Sequence, residues 1–248
     1  MSGSRQIVFI ADDFGSSAQA NIAISRAHRE GVLTGASLML GQSGTEEAIH
    51  MAAALTDLEI GWHLHVCDSR PMTCLRWPWG RSPFAAAVSL TVSPSARRLV
   101  RGELSAQWAA FQRSGLRCRF INGHHHLHLH PAVGRILEEL VAGIPGIWIR
   151  GGRFRRFGSK EGFVPRVTRV FGTLRGTLWR SPGSLRTPDS IWGVDRLHAM
   201  EASEVARAVE GLPMGLHEFI FHPGGSLEGG LDRDLESLIR LKSLLRAG

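Results

Sequence analysis

Apolar positions along the chain follow two alternating patterns. Short unbroken apolar runs mark strands buried on both faces. They lie at Ile7–Ala11, Leu33–Leu40, Leu58–Val66, Arg119–Ile121, Gly146–Arg150, Asp189–Val194 and Gly215–His222. Between them run segments of helical character. One is Ser16–Glu30, closed by Gly31. The next opens on the capping-box spacing of Ser43-Gly44-Thr45-Glu46 and runs to Leu55. Others are Ser93–Ser114, opened by Ser93-Pro94, then Pro131–Ala142, Met200–Glu210 and Leu231–Leu245. Strand alternating with helix predicts one α/β domain on a parallel sheet. One stretch breaks the rhythm. Cys67–Val92, with Trp77-Pro78-Trp79-Gly80, is longer than an ordinary βα connection and reads as a lid, a binding loop or a structural Ω-loop.

Length and composition narrow the class. The 248 residues suit a single α/β barrel, and a 43% hydrophobic, 21% charged mix is that of a globular protein. No apolar run approaches the ~20 residues that span a bilayer. Met1-Ser2-Gly3-Ser4-Arg5 lacks a signal-peptide core, so a cytoplasmic location is expected. Three cysteines, Cys67, Cys74 and Cys118, have no metal or disulfide spacing. The net charge of +7 favours an anionic partner.

The chemistry gathers at strand ends. Five of the twelve histidines fall within Ile121–Pro131, as His124, His125, His126, His128 and His130. The run follows a strand and precedes a helix opened by Pro131, which is where α/β folds keep their active sites. Asp12-Asp13 ends the first strand, His63 and His65 end the third, and His222 ends the last, in Phe221-His222-Pro223-Gly224. Two adjacent carboxylates are costly to desolvate without a cation; a helix cap would account for only one of them. One Asp with two His is a ligand set for a divalent ion with open positions, and the second carboxylate is then free to act as a base.

Ala11-Asp12-Asp13-Phe14-Gly15, Gly61-Trp62-His63-Leu64, Asn122-Gly123-His124-His125-His126-Leu127-His128 and Phe221-His222-Pro223-Gly224 resemble the four signature blocks of the YdjC-like (ChbG-type) carbohydrate deacetylases. Their overall pattern is most similar to the hopanoid-biosynthesis, HpnK-type branch. The resemblance spans Ile7 to about Gly225. It implies a distorted (β/α) TIM-like barrel, a divalent metal such as Zn2+ or Mg2+, and hydrolysis of an N-acetyl group on a sugar. By position, Asp12 resembles the base, and Asp13, His63 and His124 resemble the metal ligands. His222 is the candidate proton donor to the leaving amine. His65, His126, His128 and Arg150 are candidate substrate contacts. Two positions depart from the family pattern: Asn122 stands where Asp is usual, and His65 where Asn or Thr is common.

The expected partner is therefore an amino sugar, on a glycosylated lipid in the hopanoid branch or on a soluble chito-oligosaccharide. A homodimer stays open. A phosphodiesterase on the same metal set would need cationic clamps, for which Arg150 and Arg153 are placed. Ten basic residues and one acid, Glu161, lie between Arg150 and Arg186, and Val167, Val170, Phe171, Leu174 and Leu178 give an amphipathic helix near Pro165–Trp179. That segment is expected either to pack on the barrel or to touch the inner membrane peripherally. Nucleic acid is not expected, because no helix-turn-helix, RNP or zinc-finger pattern accompanies the charge.

Overall fold

Eight strands make one sheet in the computed structural model, which describes residues 4–158, 186–225 and 231–247. They are β1 (Arg5–Phe14), β2 (Gly35–Leu38), β3 (Glu59–Leu64), β4 (Cys118–Gly123), β5 (Trp148–Ile149), β6 (Arg153–Phe154), β7 (Ser190–Trp192) and β8 (Gly215–Phe221). All pairings are parallel and the order is β5-β4-β3-β2-β1-β8-β7-β6. That is the cyclic order of a (β/α) barrel, opened between β5 and β6. The strands curl into a half-barrel. Trp148 forms an isolated parallel bridge to Arg186, so the chain entering β7 passes along the outer edge of β5.

The curl has a steric cause. Val8, Ile10, Phe120, Trp148 and Leu216 form a small apolar cluster of their own. Ile10 on β1 and Phe120 on β4 approach each other across two strands because β2 and β3 carry glycines there. A Cβ on Gly35 would lie 2.8 Å from Ile10 Cδ1, and one on Gly61 2.3 Å from Phe120 Cε2. Alternate positions along the strands share this concave face. Toward the carboxyl ends the same face turns polar, with Asp12, Ser37, His63, Asn122, Arg150 and Glu218 all buried. The opposite face, including Phe9, Leu38, Trp62, Ile121 and Phe219, belongs to the large core shared with the helices.

Seven α-helices lie among the described residues: α1 (Ala18–Glu30), α2 (Thr45–Ala54), α3 (Pro83–Val92), α4 (Pro94–Arg113), α5 (Pro131–Leu140), α6 (Ala202–Glu210) and α7 (Arg233–Ala247), with a short 3-10 turn over His124–Leu129. None is long and apolar enough to cross a membrane. Ser17 caps α1 by accepting from Ala20 N, so neither aspartate serves as its cap. Ser43 does not cap α2: its hydroxyl donates to Ser16 O, and Gly44 takes the cap position. The stretch expected to be loop-rich holds α3, and its two tryptophans face inward. Trp77 is buried, its indole N–H donating to Ser69 O, while Trp79 donates to Val66 O at 2.7 Å. Buried Glu103 on α4 accepts from Met72 N, Thr73 N and the Thr73 hydroxyl, which pins the loop. The amphipathic helix expected near Pro165–Trp179 lies outside the described residues.

Candidate metal centre and active site

The carboxyl end of β1 departs from regular strand geometry. Its register against β2 shifts between Ala11 and Phe14, and Asp13 has φ 64. In a regular strand adjacent side chains face opposite sides. The bulge instead lets both carboxylates flank one imidazole, that of His63. Asp13 Oδ1 lies 3.2 Å from His63 Nε2 and 3.1 Å from His124 Nδ1. Asp12 sits beneath, 2% exposed, bonded through Asn122 to the other side of the His63 ring.

Asn122 determines which nitrogen of His63 faces the aspartate. The Asp12 carboxylate only accepts, so the Asn122 amide NH2 donates to it, at 2.9 Å from Oδ1. The amide oxygen is thereby left for His63 Nδ1, 2.6 Å away. Nδ1 then carries a proton, which leaves Nε2, on the side of Asp13 and His124, as the nitrogen whose lone pair a cation would take. Nε2 is buried and has no hydrogen bond of proper geometry. An unpartnered buried imidazole nitrogen, a carboxylate oxygen and a second imidazole, with ligand atoms all within 4.8 Å of one another, fit a divalent cation. Ions with bonds of about 2.1 Å at tetrahedral angles place their ligands roughly 3.4 Å apart, near the spacing found here. The second such grouping, Asp68 with His124 and His125, is already occupied by Arg81, which pairs with Asp68.

Asp12 is held by an extensive network. Arg150 Nη1 donates to Oδ2 at 2.6 Å and Nη2 to Oδ1 at 2.8 Å, and Ser37 Oγ adds a bond to Oδ1 at 3.0 Å. Burial on its own would raise the Asp12 pKa, but Arg150, with His63 and His222, outweighs it and holds the carboxyl well below the usual carboxylate range. Arg150 also donates from Nε to Glu218 Oε1 at 2.8 Å. Burial raises Glu218 more than Arg150 lowers it, so Asp12 is the stronger acid of the two. His222 Nε2 stands 3.8 Å from Asp12 Oδ2. Asp234 fixes the His222 backbone by accepting its N–H at 2.7 Å, and burial pushes the His222 pKa down.

A cavity of about 330 Å³ opens above these groups, lined in part by Asp13, Gln42, Asp68, His124, His198 and His222. Its rim is strained. The described non-glycine residues with positive φ are Asp13, Asp68, His125, His126 and His198, all in or beside it. Each such conformation costs on the order of 1 kcal/mol or more and persists only where surrounding bonds enforce it. Asp68, for instance, is clamped between Arg81 and His125 Nε2, the latter at 3.1 Å.

Not every expected contact reaches the cavity. Arg150, His65 and His128 are each 0% exposed, and none of them lines the cavity. Arg150 is consumed by the two carboxylates. His65 Nε2 donates to Leu40 O at 2.9 Å, and burial lowers its pKa to about 4. His128 Nε2 donates to Arg150 O at 3.0 Å, and burial, with Arg150, lowers its pKa to about 3. Both are neutral near pH 7. His126 is half-buried beside Phe154, with Nδ1 unpartnered, and does not line the cavity. Sequence reasoning missed Ser37, Asp68, His198, Glu218 and Asp234. Glu218 did carry a signal, because a lone acid at the head of the apolar run Phe219-Ile220-Phe221 needs a buried cation.

The Asn122 bridge makes a testable prediction. In Asn122→Asp, a second carboxylate would face Asp12 at hydrogen-bonding distance and must keep a proton to fit, so its folded-state pKa is raised. Stability lost by such a group appears as pH rises above its unfolded pKa of about 4. Denaturant unfolding should show the variant about 1–3 kcal/mol less stable than wild type at pH 8, with the gap closing as pH falls toward that value. A gap independent of pH would mean that Asn122 does not bond Asp12 as described.

A family model described as YdjC-like protein matches residues 6–240. A carbohydrate deacetylase of Brevibacillus brevis is 35% identical over 137 residues, covering 54% of this chain and 55% of the relative. One of Vibrio cholerae serotype O1 is 31% identical over 148 residues, covering 54% of each. The chain thus spans about half the length of these curated relatives. Among solved structures, a proposed cellobiose-phosphate cleavage protein of Enterococcus faecalis V583 has the same fold, with a TM-score of 0.65 and 19% identity over 98% of this chain and 95% of that one. The match runs through all four motif blocks and nearly the whole sheet, and the chain belongs to the YdjC-like protein family.

Proposed function

We propose that the protein is a metal-dependent carbohydrate deacetylase that hydrolyses the N-acetyl group of an N-acetylglucosamine unit. The reading is carried by the convergence of Asp13 Oδ1, His63 Nε2 and His124 Nδ1 at the wall of a cavity, directly above an ionised carboxylate. The activity named for the Brevibacillus and Vibrio relatives supports it. Asp13, His63 and His124 would hold a divalent cation; the donor set suits zinc and also admits magnesium. When bound, such an ion polarises the amide carbonyl and acidifies water beside it. The remaining work belongs to the chain. Three donors saturate Asp12 Oδ1, whereas Oδ2 has Arg150 alone and faces His222. Oδ2 is therefore the atom that receives the water's proton. His222 is neutral at rest, and Nε2 lies close enough to Oδ2 to relay that proton to the departing amine. The phosphodiesterase reading loses one of its two clamps, since Arg150 is buried in ion pairs.

The first acceptor to test is a glycosylated hopanoid, on the similarity of the motif blocks to the hopanoid-biosynthesis branch; a soluble chito-oligosaccharide is its competitor. Acetate release from both should be measured after chelation and after add-back of zinc, magnesium or manganese. The expected result is release that depends on add-back, faster on the N-acetylglucosaminyl hopanoid. Release only from the soluble oligosaccharide would retain the deacetylase and discard the lipid. No release from either substrate with any of the three ions would overturn the reading.

A further inference from the structure

We propose that the outward face of α3, with the arginines around it, is a docking surface for an anionic lipid bilayer. Helix α3 carries no charged side chain. Its inward positions Ala86 and Leu90 are fully buried, and on the opposite side Phe84, Val88 and Val92 are 75%, 44% and 70% exposed. These three residues follow i, i+4, i+8 and form one stripe. A helix that faces water ordinarily presents polar residues there.

The helix is held firmly in this position. Ser82 Oγ accepts from Ala85 N at its start. Arg97 Nη1 donates to Leu90 O and Thr91 O at its end, and Thr91 Oγ1 meets His130 Nε2 at 3.1 Å. The stripe is thus a fixed platform on the barrel rim. Residues 69–102 include Arg70, Arg76, Arg81, Arg97, Arg98 and Arg101 and no acid. All six but Arg97 are exposed; Arg81 pairs with Asp68 and Arg101 with Glu139, which leaves Arg70, Arg76 and Arg98 for the headgroups. Leu75, in the same stretch, is fully exposed.

This combination selects the occupant. A second copy packing stripe to stripe would bring two net-basic stretches, residues 69–102 of each copy, together, which like charges oppose. A nucleic acid would leave the apolar stripe unused. An anionic bilayer accepts both parts, apolar side chains at the acyl boundary and arginines among the headgroups. The position is also consistent. Arg81, one residue before the α3 cap, pairs with Asp68 in the cavity wall, so docking would set the cavity beside the lipid surface.

The test is co-sedimentation of the full chain with vesicles of phosphatidylcholine, with and without a quarter phosphatidylglycerol. We expect binding to the anionic vesicles that weakens as salt rises, and little binding to the neutral ones. Phe84→Ser/Val88→Ser/Val92→Ser should reduce that partitioning at least tenfold. Arg76→Gln/Arg98→Gln should reduce it several-fold and flatten the salt dependence, which keeps the proposal testable if the triple variant fails to fold. No binding to anionic vesicles at low salt overturns the proposal. So does undiminished binding of a folded triple variant, and so does a wild-type dimer, seen by light scattering, that the triple substitution dissolves. None of these readouts depends on deacetylase activity.

Discussion

Arg150→Met is expected to lower stability by about 3–5 kcal/mol, the usual cost of removing one partner from a buried ion pair. The guanidinium is fully buried and serves two carboxylates at once, Asp12 through both terminal nitrogens and Glu218 through Nε and Nη2. Methionine fills much of the volume but leaves both acids without a cation. The protein would respond by protonating one of them. Glu218, already raised by burial, takes the proton first, and Asp12 then rises from its depressed value. Turnover should fall about 10–100-fold, the usual effect of losing a group that orients the catalytic residues. Arg150→Lys should be intermediate, because one ammonium cannot span the Asp12 carboxylate in two-point contact. The denaturant midpoint and acetate release together check this. A midpoint within experimental error of wild type would show that the buried triad does not hold the barrel interior.

Much of this arrangement is legible along the chain, for identifiable reasons. Buried parallel strands are unbroken apolar runs, so β1, β3, β4 and β8 stand out, and their carboxyl ends are marked by Asp12-Asp13, His63, His124 and His222. What is hidden depends on contacts between distant strands. The four residues Asp12, Asn122, Arg150 and Glu218 come from four strand ends or interiors separated by as many as 206 positions. Nothing local distinguishes Arg150, a buried partner of Asp12, from an arginine at the cavity rim. His65 illustrates the same limit. It shares the H-x-H spacing with His63, yet lies one residue past β3, where the chain leaves the sheet and its ring turns to Leu40 O and Ser69. Helix α3 had a local signal, Ser82-Pro83, identical in kind to the Ser93-Pro94 that opens α4. It is obscured because Phe84–Val92 has no polar face, and a helix is recognised by the contrast between its faces. β6 is two residues long and offers no period at all.

The two aspartates should separate cleanly when each is changed to asparagine. Asp13 Oδ1 is the point where His63 Nε2 and His124 Nδ1 converge. Asparagine there removes the only negative charge among the three ligand groups while keeping the shape, so the first effect is on cation affinity. Metal content after dialysis should fall sharply, with turnover following it and recovering in part at high added metal. Asp12 faces the other side of the His63 ring, through Asn122, and takes no part in that ligand set. Asp12→Asn should therefore leave bound metal near wild-type levels. Turnover should nonetheless fall by about 10²–10⁴-fold, the range for removing a general base. Excess metal should not rescue it, because an amide at Oδ2's position cannot receive a proton. The same substitution will also cost stability, since Arg150 keeps only Glu218, so metal content must be measured on protein shown to be folded. Elemental analysis beside acetate release decides the matter. If Asp12→Asn loses the metal and Asp13→Asn keeps it, the proposed roles are exchanged; if both retain metal and activity, the site is elsewhere.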